Sequence, residues 1–349
     1  MSYPRVPVVP KHLYVPPVEA IENRLHAGLL RMRQNLDPSQ QVLRSKQKDR
    51  VFDLAERAHK RLRLQINLNT LSDGQRSQIG ELARAGASIC GPLTIDAVDE
   101  WAAAVHARTP WMSDLTTLLM KYMRNRLKAG HVGLSMPPLL LVGEPGNGKS
   151  WYAEMIGALL GAPVREIDVG SGSAGFRVAG TEKGWSTTGT GIPVDMMLEH
   201  RIANPVIVVN EICKAGQKIG STSGSVTSIT TALLQMLEPD TAARFECPAL
   251  RIRFDMSRVN WILTANDIKH VPAPLRDRCR VFQMPDVTPH VAALMFDTVL
   301  GTMDAEIDPQ VVAMARDAVI NAAGRGHVSM RQIKRILDSL VADPPRFLH

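Results

Sequence analysis

The chain has 349 residues, of which 45% are hydrophobic and 21% are charged, a composition that is ordinary for a globular protein. It therefore excludes wholesale disorder. At about 100–200 residues per domain, the length predicts two or three domains. No apolar run approaches the roughly 18–20 residues needed to span a bilayer, and the first residues lack the apolar core of a signal peptide, so we expect a cytoplasmic protein.

The net charge of +7 is concentrated near the N-terminus. Residues 1–135 contain 20 Lys and Arg against 12 Asp and Glu, whereas residues 136–349 contain 21 against 22. Such an excess of positive charge can bind nucleic acid or an acidic protein, although a solvated helical face is the more common explanation. The four scattered cysteines and the unpaired spacing of the histidines predict neither a disulfide framework nor a zinc site.

The first 130 residues are predicted to be an arm followed by helices. Residues 1–17 are rich in Pro and Val and have no helical period, which indicates an extended or disordered arm. From 18 to 130, apolar residues recur three and four positions apart among Lys and Arg, which predicts a basic helical region. Its first stretch, 18–64, has a helical pattern throughout.

The pattern changes near residue 137. Residues 138–142 form a short continuous apolar run, as expected of a buried parallel strand, and helical and strand-like segments then alternate up to 286. This alternation predicts an α/β domain with a mainly parallel sheet over 131–286. Beyond it, helical patterns without strands predict a small helical lid over 287–349.

A complete phosphate-binding motif follows the first of these predicted strands. Its residues fit the pattern G-x-x-x-x-G-K-[ST] and are followed by a predicted helix: Gly143, Glu144, Pro145, Gly146, Asn147, Gly148, Lys149 and Ser150. Glycines in such a loop let successive backbone N–H groups surround phosphate oxygens, and the helix N-terminus adds positive potential. We expect Lys149 to bind the β- and γ-phosphates and Ser150 to ligate Mg²⁺, and we take the nucleotide to be ATP.

A second apolar run, residues 206–209, ends at Asn210 and Glu211. A carboxylate at the end of a buried strand beside the γ-phosphate can polarise the attacking water, so Glu211 is the candidate general base. The position before it is normally Asp, which helps to hold Mg²⁺. Here it is Asn210, whose uncharged amide oxygen is a weaker ligand for a hard cation, a departure that can slow hydrolysis or abolish it.

Residues 137–342 resemble the AAA+ ATPase module, and most closely the module of Lon proteases. The resemblance rests on the phosphate loop and on motifs that follow it in order, namely Leu237-Glu238-Pro239, Phe254-Asp255-Met256-Ser257-Arg258-Val259, Thr264-Ala265-Asn266 and Pro272-Ala273-Pro274-Leu275. It implies a P-loop nucleotide domain with a helical lid. Because the chain reaches residue 349 soon after the lid, we expect no peptidase domain of its own.

The same resemblance assigns roles to further residues. Asn266 matches the polar sensor that orients the attacking water together with Glu211. Arg278 matches the arginine finger that reaches the γ-phosphate of a neighbouring subunit, with Arg276 as the fallback. Arg331 matches the sensor arginine of the lid. Trp185, in a Gly/Thr-rich loop, falls where the pore-loop aromatic grips a translocating polypeptide.

These roles imply a homo-oligomeric ring, most often a hexamer, that uses ATP hydrolysis to unfold and translocate a protein. The N-terminal region would then select the substrate or an adaptor. Two alternatives stay open. Asn210 suits an ATP-binding ring that hydrolyses weakly and uses the nucleotide only to assemble. The basic N-terminal segment suits a nucleic-acid-acting AAA+ protein, which ranks lower because its helices lack interleaved aromatic residues for stacking.

Overall fold

The computed structural model describes residues 3–39, 41–66, 71–171, 174–182, 189–216, 229–303, 307–326 and 328–342. The chain divides into two compact units, one formed by Arg5–Ala87 and the other by Met1–Pro4 with Ser88–His349. Within these described ranges, no helix is both long enough and apolar enough to cross a membrane.

The N-terminal unit is helical. The short strands β1 (Arg5–Val6) and β2 (Ala87–Ser88) mark its ends, and its helices are α1 (Val18–Leu36), α2 (Ser45–Gln65) and α3 (Asp73–Ala85). Helix α1 packs along α2, and a 3-10 turn at Lys11–Leu13 packs on α3. The segment 1–17 therefore includes structured residues, and Val8, Val9 and Leu13 within it are buried.

The helical stretch predicted over 18–64 is two helices. Helix α1 ends at Leu36, and its C-cap Asp37 is extended, with φ −149° and ψ 103°. Asp37 precedes Pro38, whose ring disfavours the helical conformation of the preceding residue. The proline thus stops the first helix, although the apolar period continues on its far side.

The second unit is built on a five-stranded, fully parallel sheet. Its strand order is β4-β5-β8-β3-β9, with β3 at Leu139–Val142, β4 at Val164–Asp168, β5 at Val206–Asn210, β8 at Asn260–Ala265 and β9 at Arg280–Gln283. The edge strand β9 was not predicted from the sequence. Within the region predicted to alternate between helices and strands of one parallel sheet, β6 (Phe245–Cys247) and β7 (Ile252–Phe254) instead form a separate antiparallel hairpin outside this sheet.

Helices cover the sheet and form the lid. They are α4 (Ile95–Arg108), α5 (Ser113–Lys128), α6 (Lys149–Leu159), α7 (Ala174–Ala179), α8 (Ile192–His200), α9 (Ile229–Leu237), α10 (Pro239–Ala242), α11 (Ala273–Arg278), α12 (Pro289–Leu300), α13 (Pro309–Ala323) and α14 (Met330–Ala342). The last three helices form a lid with its own core around Phe296. The predicted α/β fold with a parallel sheet and a helical lid is confirmed.

Helices α4 and α5 share one hydrophobic core with the sheet. Trp101 of α4 and Leu115 of α5 belong to the same buried cluster as Leu139 of β3 and Val206 of β5. The boundary expected at 130/131 thus falls inside the second compact unit, which begins at Ser88.

Two buried asparagines fasten the segment before β3 to the central strands. The Asn204 side chain accepts from the N–H of Cys90 (2.9 Å) and donates to the carbonyls of Cys90 (2.8 Å) and Leu134 (3.0 Å). The Asn260 side chain accepts from the N–H of Met136 (2.9 Å) and donates to the carbonyl of Asn204 (3.1 Å). These bonds satisfy backbone groups that the protein buries away from water.

We expect Asn204→Ala to lower the free energy of unfolding by about 2–4 kcal/mol, because it leaves several buried backbone groups without partners. Urea unfolding followed by tryptophan fluorescence measures this, since all five tryptophans lie after residue 100, in the second unit. Asn321→Ala, at an exposed position of α13, is the matched control and should change stability little. Equal effects of the two substitutions would contradict the role given to Asn204.

Candidate nucleotide site

The candidate site lies where three neighbouring parallel strands end. In the sheet register Val142 of β3 is opposite Ala265 of β8, and Val209 of β5 is opposite Leu263 of β8. The residues that follow these strands therefore emerge at the same edge. In open parallel sheets, ligands bind in the crevice outside the carboxyl ends of the strands.

The phosphate loop has the backbone that its glycines predict. Gly146 and Gly148 have φ values of 86° and 82°, in the left-handed region that favours glycine. A Cβ on Gly146 would lie 2.7 Å from the Cβ of Ser329, so the lid also approaches the loop closely here. Helix α6 begins at Lys149 directly after the loop and directs its N-terminus towards it. This arrangement supplies the backbone donors and positive potential that an anion requires.

Lys149 is placed at the centre of the site. Its side chain is 8% exposed, and its Nζ donates to the carbonyls of Gly143 (2.7 Å) and Glu144 (2.8 Å) and to Asn266 Oδ1 (3.3 Å). Burial lowers the pKa of Lys149, while nearby Cys213, Glu211 and Glu144 act in the opposite direction. Phosphate oxygens are acceptors of the same kind as these carbonyls, so they can take their place around the ammonium.

Ser150 and Asn210 lie side by side. The Ser150 hydroxyl donates to Asn210 Oδ1 (2.9 Å), and Thr264 Oγ1 donates to the same oxygen (3.3 Å). A hydroxyl and an amide oxygen are hard ligands that suit Mg²⁺, which usually keeps several waters and takes few protein ligands. The residues present therefore fit Mg²⁺, with Ser150 and Asn210 as its holders.

Glu166 of β4 belongs to this group, although nothing about its position in the sequence indicated this. Asn210 Nδ2 donates to Glu166 Oε2 over 2.9 Å. Burial raises the pKa of Glu166 and neighbouring Glu154 adds to this, whereas the bond from Asn210 acts in the opposite direction. No spacing links residue 166 to residue 210, and only the pairing of β4 with β5 brings them together.

Glu211, the candidate general base, has an unusual backbone and an engaged side chain. Its φ of 60° lies in the left-handed region, which costs a residue with a side chain about 1–3 kcal/mol. Its N–H donates to Thr264 Oγ1 (3.1 Å), and its carboxylate forms an ion pair with Lys214. Strained backbone held by its neighbours is common at functional sites. Thr264 and Lys214 were not expected from the sequence to take part.

The lid meets the phosphate loop near Arg331. The N–H of Met330 donates to the carbonyl of Gly146 over 2.8 Å, so the first turn of α14 contacts the loop. Arg331 follows Met330 directly, and its side chain is exposed. The predicted lid arginine is therefore brought to the site by its backbone, next to the phosphate loop.

Two predicted residues are not part of this cluster. Arg278, at the end of α11, lies 3.4 Å (Nε) from Glu238 Oε2 and donates through a terminal nitrogen to the carbonyl of Pro274 (3.1 Å). Its partners thus come from its own helix and from the end of α9, not from the phosphate loop. Trp185 lies outside the described residues.

An aromatic pair connects the phosphate-loop helix with the lid. Trp151, directly after Ser150, stacks on Trp111 with ring centroids 6.3 Å apart and 23° between the ring planes. Both rings pack against the hydrophobic core of the lid. In the sequence, only the tryptophan directly after the phosphate-loop motif pointed towards this aromatic pair, since residue 111 lies in a different part of the chain.

Residues 139–286 match the family model described as ATPase family associated with various cellular activities (AAA). The chain contains an AAA domain. Over this region it is 31% identical over 157 residues to "Lon protease homolog 2, peroxisomal" of Spinacia oleracea, covering 45% of this chain and 17% of that protein. It is 28% identical over 204 residues to the Arabidopsis thaliana protein of the same name, covering 52% and 22%. It is 30% identical over 152 residues to "Lon protease" of Lawsonia intracellularis, covering 44% and 18%.

The AAA domain is thus similar to those of Lon proteases, as the motifs after the phosphate loop predicted. The matches span no more than about a fifth of the length of these relatives. The similarity therefore concerns about half of this chain and a small part of each relative.

Gly148→Ala tests whether the loop geometry serves the nucleotide. Gly130 makes a matched control, because it has the same φ of 82° but nothing within 4 Å of an added Cβ, whereas at Gly148 the Met330 sulfur lies 2.9 Å away. Left-handed strain should lower the stability of both alanine variants by about 1–2 kcal/mol. Only Gly148→Ala should also weaken binding of a fluorescent ATP analogue, by about tenfold or more. Equal affinity in the two variants would contradict the assignment.

Proposed function

We propose that this chain is a ring-forming AAA+ ATPase that binds Mg²⁺-ATP, hydrolyses it and uses the energy to remodel protein substrates. The observation that carries the proposal is the convergence of Lys149, Ser150, Glu211 and Asn266 at the ends of three adjacent strands. Each has the chemistry that phosphoryl transfer to water requires: a cation, a metal ligand, a base and a polar group that orients the water. The AAA family match and the similarity to Lon proteases support it.

The proposed role of each residue follows from its position in the site. The loop 143–150 surrounds the phosphates with backbone N–H groups, and Lys149 offsets their charge. Bound Mg²⁺ would supply further positive charge to the phosphates. Glu211 would accept the proton of the attacking water once it leaves Lys214, and Asn266, 3.3 Å from Lys149 Nζ, would fix the water beside the γ-phosphate.

Arg278 would act on a neighbouring subunit, so the active form would be a homo-oligomer, a hexamer by analogy with the family. A finger supplied in trans need not contact the phosphate loop of its own chain, which agrees with its place on α11 next to Glu238. In the same ring, Arg331 would couple the nucleotide to the lid, and Trp185 would contact the translocating polypeptide.

The N-terminal unit would choose the protein substrate or adaptor. Helix α1 contains no buried residue, and the basic side chains of α2 are exposed alongside Phe52, Leu54 and Leu64. Exposed apolar residues among basic ones are typical of surfaces that bind a partner with complementary charge. An acidic protein segment fits this surface.

Steady-state Mg²⁺-ATP turnover and nucleotide affinity test the ATPase assignment together. Lys149→Ala should abolish binding, because a buried cation is removed from the phosphates, while Glu211→Gln should keep binding and lower turnover by about 10²–10⁴-fold. Lys121→Ala and Glu100→Gln, at exposed positions of α5 and α4, are the matched controls. Turnover that survives Lys149→Ala would refute the assignment.

One observation favours a second candidate, a nucleotide-binding switch. Asn210 offers Mg²⁺ a neutral oxygen where a carboxylate is usual, so binding could persist with negligible hydrolysis. The same measurements separate the two functions: tight, Lys149-dependent binding without turnover in the natural protein, together with nucleotide-dependent assembly, would establish the switch.

Arg278→Ala tests the ring. It should leave nucleotide affinity unchanged and lower turnover by about 10³-fold or more, because the transition-state charge loses its guanidinium. Mixing this variant with Lys149→Ala should restore part of the turnover, since intact loops then meet intact fingers from the neighbouring subunits. Arg276→Ala, the fallback candidate on the same helix, should lower turnover much less, and the opposite order would move the finger to Arg276. No recovery on mixing would argue against a finger supplied in trans.

A further inference from the structure

The side chain of Asn210 has different partners on its two sides. Its oxygen accepts from Ser150 Oγ (2.9 Å) and Thr264 Oγ1 (3.3 Å), and its nitrogen donates to Glu166 Oε2 (2.9 Å). An amide can turn by 180° and exchange its oxygen and nitrogen at little cost when nothing distinguishes them. Here a carboxylate, which only accepts, selects the orientation in which the oxygen faces Ser150.

Without Glu166 this orientation would lose its strongest determinant. Ser150 and Thr264 have hydroxyls, which can donate to an amide oxygen or accept from an amide nitrogen with equal ease. Of the three partners, only Glu166 accepts without being able to donate when ionised. The nitrogen of a turned amide would face Ser150 and could not ligate a cation.

Glu166 also supplies negative charge. Its carboxylate accepts a hydrogen bond from the Asn210 side chain, and the oxygen of that side chain lies next to the Ser150 oxygen at the proposed metal position. Carboxylates that hydrogen-bond to a metal ligand orient it and strengthen its donation, and their loss typically lowers metal affinity 10–100-fold. The charge that the amide lacks is thus present on the adjacent strand.

We propose, on the basis of the proposed nucleotide site, that Glu166 is the positioning residue for Asn210 and that the Glu166–Asn210 pair takes the place of the usual aspartate. Glu166 holds the amide oxygen towards the metal position beside Ser150 and contributes the negative charge there. The two residues therefore depend on each other, and replacing either one alone should not improve Mg²⁺ binding.

This pairing predicts that Asn210→Asp fails by itself. The substitution would place two carboxylates about 3 Å apart, where like charges oppose ionisation of both. A carboxylate at residue 210 also could not donate to Glu166, so the hydrogen bond between the two residues would be lost. The double substitution Asn210→Asp with Glu166→Gln instead exchanges donor and acceptor, and it keeps both the hydrogen bond and the total charge of the pair.

The test measures the dissociation constant of a fluorescent ATP analogue with Mg²⁺ and with EDTA. Glu166→Ala should reduce the tightening caused by Mg²⁺ by about tenfold and leave the EDTA value unchanged. Asn210→Asp should bind Mg²⁺-nucleotide no better than the natural protein, and the double variant should recover at least the natural level. Glu166→Gln alone retains an acceptor without the charge, so it should fall between Glu166→Ala and the natural protein. Glu100→Ala, at an exposed site of α4, is the control, and thermal unfolding checks the fold of each variant.

Two results would overturn the pairing. One is an unchanged effect of Mg²⁺ in Glu166→Ala; the other is a gain in Asn210→Asp that does not depend on Glu166→Gln. Either of these with intact, Lys149-dependent nucleotide binding would leave the proposed function standing. Nucleotide binding that does not depend on Lys149 would instead overturn both.

Discussion

The structure depends on the complete burial of three adjacent parallel strands. Every residue of β3 and β8, and the four apolar residues of β5, are buried. Polar side chains are costly within such strands unless they are hydrogen-bonded, so they collect where the strands end. Because parallel strands all end at the same edge, burial of the apolar runs brings Lys149, Asn210, Glu211 and Asn266 together. The chemistry of the site is thus a consequence of the packing of the sheet.

The features that the sequence could predict are those with a local cause. A continuous apolar run indicates a buried strand whatever its partner is, and glycines at fixed spacing before a lysine indicate a phosphate loop. The positions of Gly143, Glu211 and Asn266, each directly after a strand, followed from such patterns and from the Lon resemblance. What was missed depends on distant contacts: β9 is a short edge strand with mostly exposed side chains, and β7 pairs with β6 instead of joining the sheet. Glu166 and Thr264 enter the site only through strand pairing, which no local pattern specifies.

In the core, the hydrogen bonds of Asn204 and Asn260 likewise could not be predicted from local sequence patterns. Both are polar residues at about 1% exposure, and a sequence pattern would place such residues in loops. Their side chains bind the backbone of the segment before β3, which joins α4 and α5 to the sheet. Only these long-range bonds and the shared core assign α4 and α5 to the nucleotide domain.

The charged groups of the site already have partners within the chain, and this affects how a nucleotide can act. Lys149 is held by the carbonyls of Gly143 and Glu144, and Glu211 by Lys214. A buried or half-buried charge without a partner is costly, so ATP must replace existing interactions, and the net gain from each exchange is modest. Each exchange also releases the former partner, namely the loop carbonyls around Lys149 or the Lys214 ammonium beside Glu211.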